Sequence, residues 1–117
     1  MKKGLLVFGL LFFVGTVQSM VVLYLGNEIL DRCEAALVNS NSEKAGVCYG
    51  YIAGIVDAEA SYQARNVKDA NICLPKGTTN TELARLVVYE LRKTPDKLHL
   101  EASRLVINIL AEAFPCP

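Results

Sequence analysis

The chain is 117 residues long and 52% hydrophobic, and its 12 basic and 12 acidic side chains give a formal net charge of +0 at pH 7. That balance does not suggest a nucleic-acid or anionic-membrane partner, since both need a basic patch. A domain of this size lies near the limit at which a hydrophobic core alone is only marginally stabilising.

Lys2 and Lys3 precede the apolar run from Gly4 to Gly15, and Val17 and Ser19 follow at the −3 and −1 positions of a cleavage site. This order predicts a secretory signal over residues 1–19, removed after Ser19, and a single exported domain over residues 20–117. The competing reading is an uncleaved inner-membrane anchor, because Met20 to Leu25 lengthens the apolar stretch toward a membrane span. Gln18 and Ser19 interrupt that run, no basic cluster follows it, and no cysteine near the cleavage point suggests a lipoprotein. Without Lys2 and Lys3, 10 basic side chains face 12 acidic ones, a balance of −2.

A first helix is predicted from Asn27, as N-cap, to Val38, with Ile29, Leu30, Cys33 and Leu37 on one face. The polar run Asn39 to Ser42 ends it. A second helix runs from Glu43 to about Ala64, with Val47, Cys48, Tyr51, Ile52, Ile55, Val56 and Tyr62 on its apolar side. Gly50, Gly54, Asp57 and Ser61 recur at i, i+4, i+7 and i+11 and share another face. Each internal glycine costs a helix about 1 kcal/mol relative to alanine. Keeping two predicts close helix packing at Gly50, Gly54 and Asp57: a tight intramolecular crossing, or alternatively a contact between two copies of the chain.

A long loop from Asn66 to Thr79 carries Cys73, Pro75 and Gly77. Thr79 and Glu82 have the spacing of a capping box that opens the third helix. Its apolar stripe is Leu83, Leu86, Val87 and Leu91, and the opposite stripe is Glu82, Arg85, Tyr89 and Arg92. Thr94, Pro95 and Asp96 suit the N-cap and first turn of a fourth helix. Leu98, Ala102, Leu105, Val106, Ile109 and Ala113 form its apolar face, and Pro115 ends it. No hairpin signal competes, so the fold class is all-α, a compact bundle of four helices.

Cys33, Cys48, Cys73 and Cys116 all lie in the exported part, and an even count in a short exported chain predicts two disulfides. Spacing alone leaves three pairings open. Topology favours Cys33–Cys48, across the short turn between the first two helices, with Cys73–Cys116 tying the long loop to the chain end. No C-x-x-C pair is present, so no metal is expected.

Catalytic patterns are lacking: His99 is the lone histidine, and no H-E-x-x-H, G-x-S-x-G or phosphate-cradling glycine loop occurs. Neither enzyme activity nor a cofactor is expected. Tyr89, an aromatic among charges, has the composition of an interface anchor beside the polar loop Lys76 to Asn80, although an ordinary solvated face has the same composition.

Several segments taken in order, EILDRCEAA, CYGYIAGIVDA and ICLPKGTTNTELARLVVYELRKTPDKLHLEASRLVINILAEAFPCP, cover nearly the whole exported part. Together they are similar to the Rap/Tai immunity family, the resistance-associated and type VI amidase immunity proteins. The resemblance implies a periplasmic, often dimeric protein that occludes a peptidoglycan-cleaving amidase effector and needs no catalytic residue of its own. Transferred by position, the implied effector contacts are Lys76, Gly77, Thr78, Thr79 and Asn80 in the loop, with Glu82, Arg85, Tyr89 and Arg92 on the third helix. Two other classes fit a small exported helical protein: a periplasmic stress chaperone of the HdeA type, and an envelope-anchored structural partner.

Overall fold

The computed structural model describes residues 23–117 and three isolated glycines before them, so the predicted signal and its cleavage point after Ser19 lie outside the described residues. Four helices follow in order: α1 (Gly26–Val38), α2 (Glu43–Ala64), α3 (Asn80–Arg92) and α4 (Ala102–Ala113), with a 3₁₀ turn at Pro95–Lys97 between the last two. No extended strand occurs among the described residues, only two isolated bridges, Leu25 with Glu101 and Ile72 with Pro115. Among those residues, too, no helix is long and apolar enough to cross a membrane.

The start of α1 differs from the sequence expectation. Asn27 is not its N-cap: the helix begins one residue earlier, and the Leu25 N–H donates to the Glu28 carboxylate at 2.8 Å. The N–H groups of Gly26 and Asn27 donate to the carbonyls of Leu100 and Leu98, both at 2.9 Å, so the exposed donors of a helix start are satisfied by a distant segment. Ile29, Cys33 and Ala36, at i, i+4 and i+7, carry the buried stripe, while Leu37 stays exposed.

The same bonds explain why α4 is shorter than predicted. A helix running on from Thr94 would need the Leu98 carbonyl to accept from Ala102. That carbonyl instead serves Asn27, and the Ala102 N–H donates to the Tyr24 carbonyl at 2.8 Å. Pro95–Lys97 therefore closes as a separate 3₁₀ turn, Glu101 is extended (φ −57°, ψ 131°), and the helix restarts at Ala102. Leu98 packs on the core from this turn, and Leu110 fills the core position expected of Ala113, which is exposed.

α2 is capped by Ser42, whose hydroxyl accepts the Ala45 N–H at 3.1 Å. Cys48 and Ile52 are buried with Ala45, and Tyr51, Ile55 and Val56 pack at the margin, whereas Tyr62 is exposed. α1 lies against α2 and α3, and α4 touches all three, enclosing one core built on Ile29, Ile52, Val87, Leu91, Val106 and Leu110. Cys33 and Cys48 pair at the centre of that core, and Cys73 pairs with Cys116 at its edge. On loop-closure entropy, sequence separations of 15 and 43 make the two bonds worth about 3 and about 4 kcal/mol.

Of the two readings of the glycine strip, the intramolecular crossing is not found among the described residues. A Cβ built on Gly50 or Gly54 meets nothing within 4 Å, and Gly50, Gly54, Asp57 and Ser61 all face solvent. The strip makes no intramolecular crossing because the opposite side of α2, through Cys48 and Ile52, is the one turned to the core. The close approach occurs at Gly26, where a Cβ would stand 2.5 Å from Leu105 Cδ1 and 3.1 Å from both the Cα and the carbonyl oxygen of Leu98.

Gly26→Ala should thus lower stability by about 1–3 kcal/mol through overpacking, with a fall of roughly 4–8 °C in Tm per kcal/mol. Gly50→Ala and Gly54→Ala, measured by thermal denaturation at concentrations where the chain is monomeric, should each raise stability by about 0.5–1 kcal/mol. The opposite order of the three variants would contradict this placement of the glycines.

Candidate functional site

The loop before α3 is held from both sides. Cys73 is bonded to Cys116, its N–H donates to the Phe114 carbonyl at 2.8 Å, and Ile72 pairs with Pro115. On the α2 side, Gln63 Nε2 donates to the Ile72 carbonyl at 2.6 Å, and the buried Glu59 carboxylate accepts the Asn71 N–H at 3.1 Å. The chain then turns sharply. Thr78 donates its hydroxyl (2.7 Å) and its N–H (3.2 Å) to the Pro75 carbonyl, and Gly77 has φ +89°, a conformation that side-chain-bearing residues adopt only with strain.

Thr79 closes the turn as the N-cap of α3, as its spacing with Glu82 predicts. Its hydroxyl accepts the Glu82 N–H at 3.2 Å, and Glu82 Oε2 accepts from both the Thr79 N–H (2.7 Å) and its hydroxyl (2.9 Å). Asn80 is the first residue of the helix. Pro75, Lys76, Gly77, Thr78, Glu82 and Phe114 surround an open depression of about 330 Å³ at this corner. The structure thus brings Lys76–Thr78 and Glu82 together around one hollow.

Arg85, Tyr89 and Arg92 lie outside that hollow, farther along the outer face of α3, which spans about 15 Å from Glu82 to Arg92 at helical rise. Each is exposed, Tyr89 by 62%. The Lys93 ammonium sits 3.9 Å from the centre of the Tyr89 ring and bonds Glu90 Oε1 at 3.1 Å. The Glu90 carboxylate, and after it Tyr89, holds the Lys93 pKa above the usual lysine range. Arg92 Nε donates to Glu34 Oε1 on α1 at 3.1 Å. Of the charges beside Tyr89, Lys93 and Glu90 are thus paired, as are Arg92 and Glu34, while Arg85 is in no ion pair among the described residues.

Lys93, Glu90, Glu34 and Phe114 are the site neighbours that sequence reasoning missed. Lys93 is legible in principle as the i+4 partner of Tyr89 on a helix. Glu34 and Phe114 reach the site only through tertiary contacts and leave no local signal. His99 is exposed, no thiol is free, and no group of three metal-ligating side chains occurs among the described residues.

A family model described as Rap1a immunity proteins matches residues 25–116. The chain belongs to the Rap1a immunity protein family. Searches of the curated proteins and of the solved structures each gave no significant match. The matched region begins at Leu25, which bridges to Glu101, and ends at Cys116, which closes the second disulfide, so the Rap1a match and the folded body coincide. Membership makes this an immunity protein that binds a cognate effector.

The capping box makes one site residue pH-sensitive. The Glu82 carboxyl is held below the usual glutamate range, first by the Thr79 backbone N–H, then by its hydroxyl, with the charge of Arg85 assisting. Because the folded pKa lies below the unfolded one, the stabilisation is complete above the unfolded value and is lost as pH falls through the folded value. An NMR titration should place the Glu82 midpoint below that of a glutamate in the denatured chain, and Thr79→Ala should move it part of the way back. An ordinary midpoint in the wild-type chain would mean that the box does not form in solution.

Proposed function

We propose that this immunity protein acts in the periplasm, where its α3 face and the loop at residues 76–80 dock on a peptidoglycan amidase delivered by a type VI secretion system and block its cleft. The observation that carries the reading is family membership over residues 25–116, joined to a rigidly held loop and an exposed aromatic on the adjoining helix. Occlusion needs affinity and fit rather than reacting groups. A loop pinned by a disulfide, Gln63 and Glu59 has little conformational freedom left to lose on docking, so more of its contact energy appears as affinity. Tyr89 supplies the kind of large, partly apolar anchor that dominates interface energetics.

The proposal includes a homodimer through the open glycine face of α2. Small residues there let a second helix approach closely and recover dispersion contacts, and nothing else among the described residues covers Gly50 or Gly54. Gly54→Leu should then halve the mass seen by light scattering while leaving helix content unchanged. An unchanged mass, or a wild-type chain that is monomeric throughout, removes the dimer.

Capture of partners from the producing cell with the tagged exported domain, identified by mass spectrometry, supplies the effector for the decisive assay. Periplasmic co-expression should rescue cells from that effector's lysis, and Tyr89→Ala should weaken the complex by about 2 kcal/mol, roughly thirtyfold in Kd, without loss of helix. Continued lysis at matched expression counts against neutralisation. Suppression of client aggregation at acid pH, with no effector bound, would instead support the stress-chaperone reading.

A further inference from the structure

The charged groups of the loop and of the α3 face divide unevenly between those engaged within the molecule and those left free. Every carboxylate on the α3 face has a partner: Glu82 caps Thr79, Glu90 holds Lys93, and Glu34 on α1 receives Arg92. Lys76 in the loop and Arg85 on the helix take part in no ion pair and no side-chain hydrogen bond among the described residues. Other cations outside ion pairs are engaged elsewhere or have a ready counter-charge: Arg32 donates to the Glu28 carbonyl and lies over the Tyr24 ring, and Arg65 lies 5.6 Å from the centre of the Tyr62 ring. Lys68 adjoins Asp69, Lys97 adjoins Asp96, and Arg104 follows Glu101 by three residues, and none of these acids is engaged in an ion pair. Lys76 has no acid within three residues, and the sole acid that close to Arg85 is Glu82, already committed to the cap.

We infer that this face is built for an acidic surface of the partner protein, with Lys76 and Arg85 seating its carboxylates around the Tyr89 anchor. The inference rests on the reading of the α3 face as the docking surface and adds the chemistry of what docks there. An exposed guanidinium can take a carboxylate in two parallel hydrogen bonds, which fixes orientation as well as charge. Glu82 keeps its charge within the cap and shares the hollow with Lys76, so Lys76 and Arg85 face one carboxylate whose oxygens are turned to neutral donors, and one positive charge is left over for a partner carboxylate. Unpaired rim charges of one sign also favour encounter with a surface of the opposite sign and disfavour like-charged competitors.

The test needs no effector. The nitrogen-15-labelled exported domain is titrated with acetylated octaglutamate, with acetylated octalysine as control, and backbone amide shifts are followed by NMR. The inference expects octaglutamate shifts concentrated at residues 76–80 and 85–92. It also expects them to weaken as salt rises from about 0.01 M to about 0.15 M, where the Debye length falls from about 30 to about 8 Å. Lys76→Glu with Arg85→Glu should weaken the probe by about tenfold, and Lys76→Gln with Arg85→Gln should show the same direction with helix content retained. Shifts of equal size around Lys68, Lys97 and Arg104, no shift at the face, or octalysine binding there would overturn it. Because the probe is independent of any effector, such a result would leave the rescue assay to judge the immunity reading separately.

Discussion

The carbonyl oxygens of Leu98 and Leu100 accept the first two N–H groups of α1, at 2.9 Å each, and much of the architecture follows from that commitment. A helix start leaves donors that must find acceptors, and here they find them in a segment more than seventy residues later in the chain. The two backbones meet so closely that a Cβ on residue 26 would crowd the Leu98 backbone and displace the end of the Leu105 side chain. With its carbonyl taken, Leu98 cannot begin a continuous fourth helix, so α4 starts only at Ala102, whose own N–H returns to Tyr24. One set of backbone bonds sets the start of α1, the break before α4 and the need for glycine between them.

The opposite edge of the bundle is organised by a different principle. There the chain has no repeating backbone pattern between α2 and α3, and order comes from cross-links: the Cys73–Cys116 disulfide, the Gln63 amide on the Ile72 carbonyl, and the Glu59 carboxylate on the Asn71 N–H. Glu59 is the single acidic side chain counted as buried among the described residues, and its bond supplies the partner that a buried carboxylate requires. The result is a loop that is polar at its tip and anchored at its base, a combination that the proposed docking role requires.

Local chemistry was legible in the sequence wherever a few neighbouring residues decide the outcome. The Thr79–Glu82 box, the start of α2 near Glu43, the apolar stripe of α3 and the exposure of Glu82, Arg85, Tyr89 and Arg92 all depend on helical spacing alone. The Cys33–Cys48 pairing follows from two helices joined by a short turn, and the second disulfide follows once the first is made. Asn27 and the length of α4 were misread for one shared reason: a cap or a helix run is inferred from local donors and acceptors, and here the acceptors come from elsewhere in the chain.

The glycines show the limit most clearly. A strip at i and i+4 marks a surface that another backbone can approach, but periodicity cannot say whether that backbone belongs to the same chain. Gly50 and Gly54 have open space above them, while Gly26, isolated in sequence and without any repeat to flag it, makes the tight contact. The energetic asymmetry follows. At Gly26 the conformational cost of glycine is offset within the fold by the backbone bonds it permits. At Gly50 and Gly54 the described residues offer no compensating contact, and the propensity penalty of about 1 kcal/mol each stands uncompensated in the isolated chain. Folding of the single chain does not account for keeping glycine at two positions where alanine would fit. The α1 N-terminus thus bears on stability, and the open α2 face is the ground for the proposed dimer.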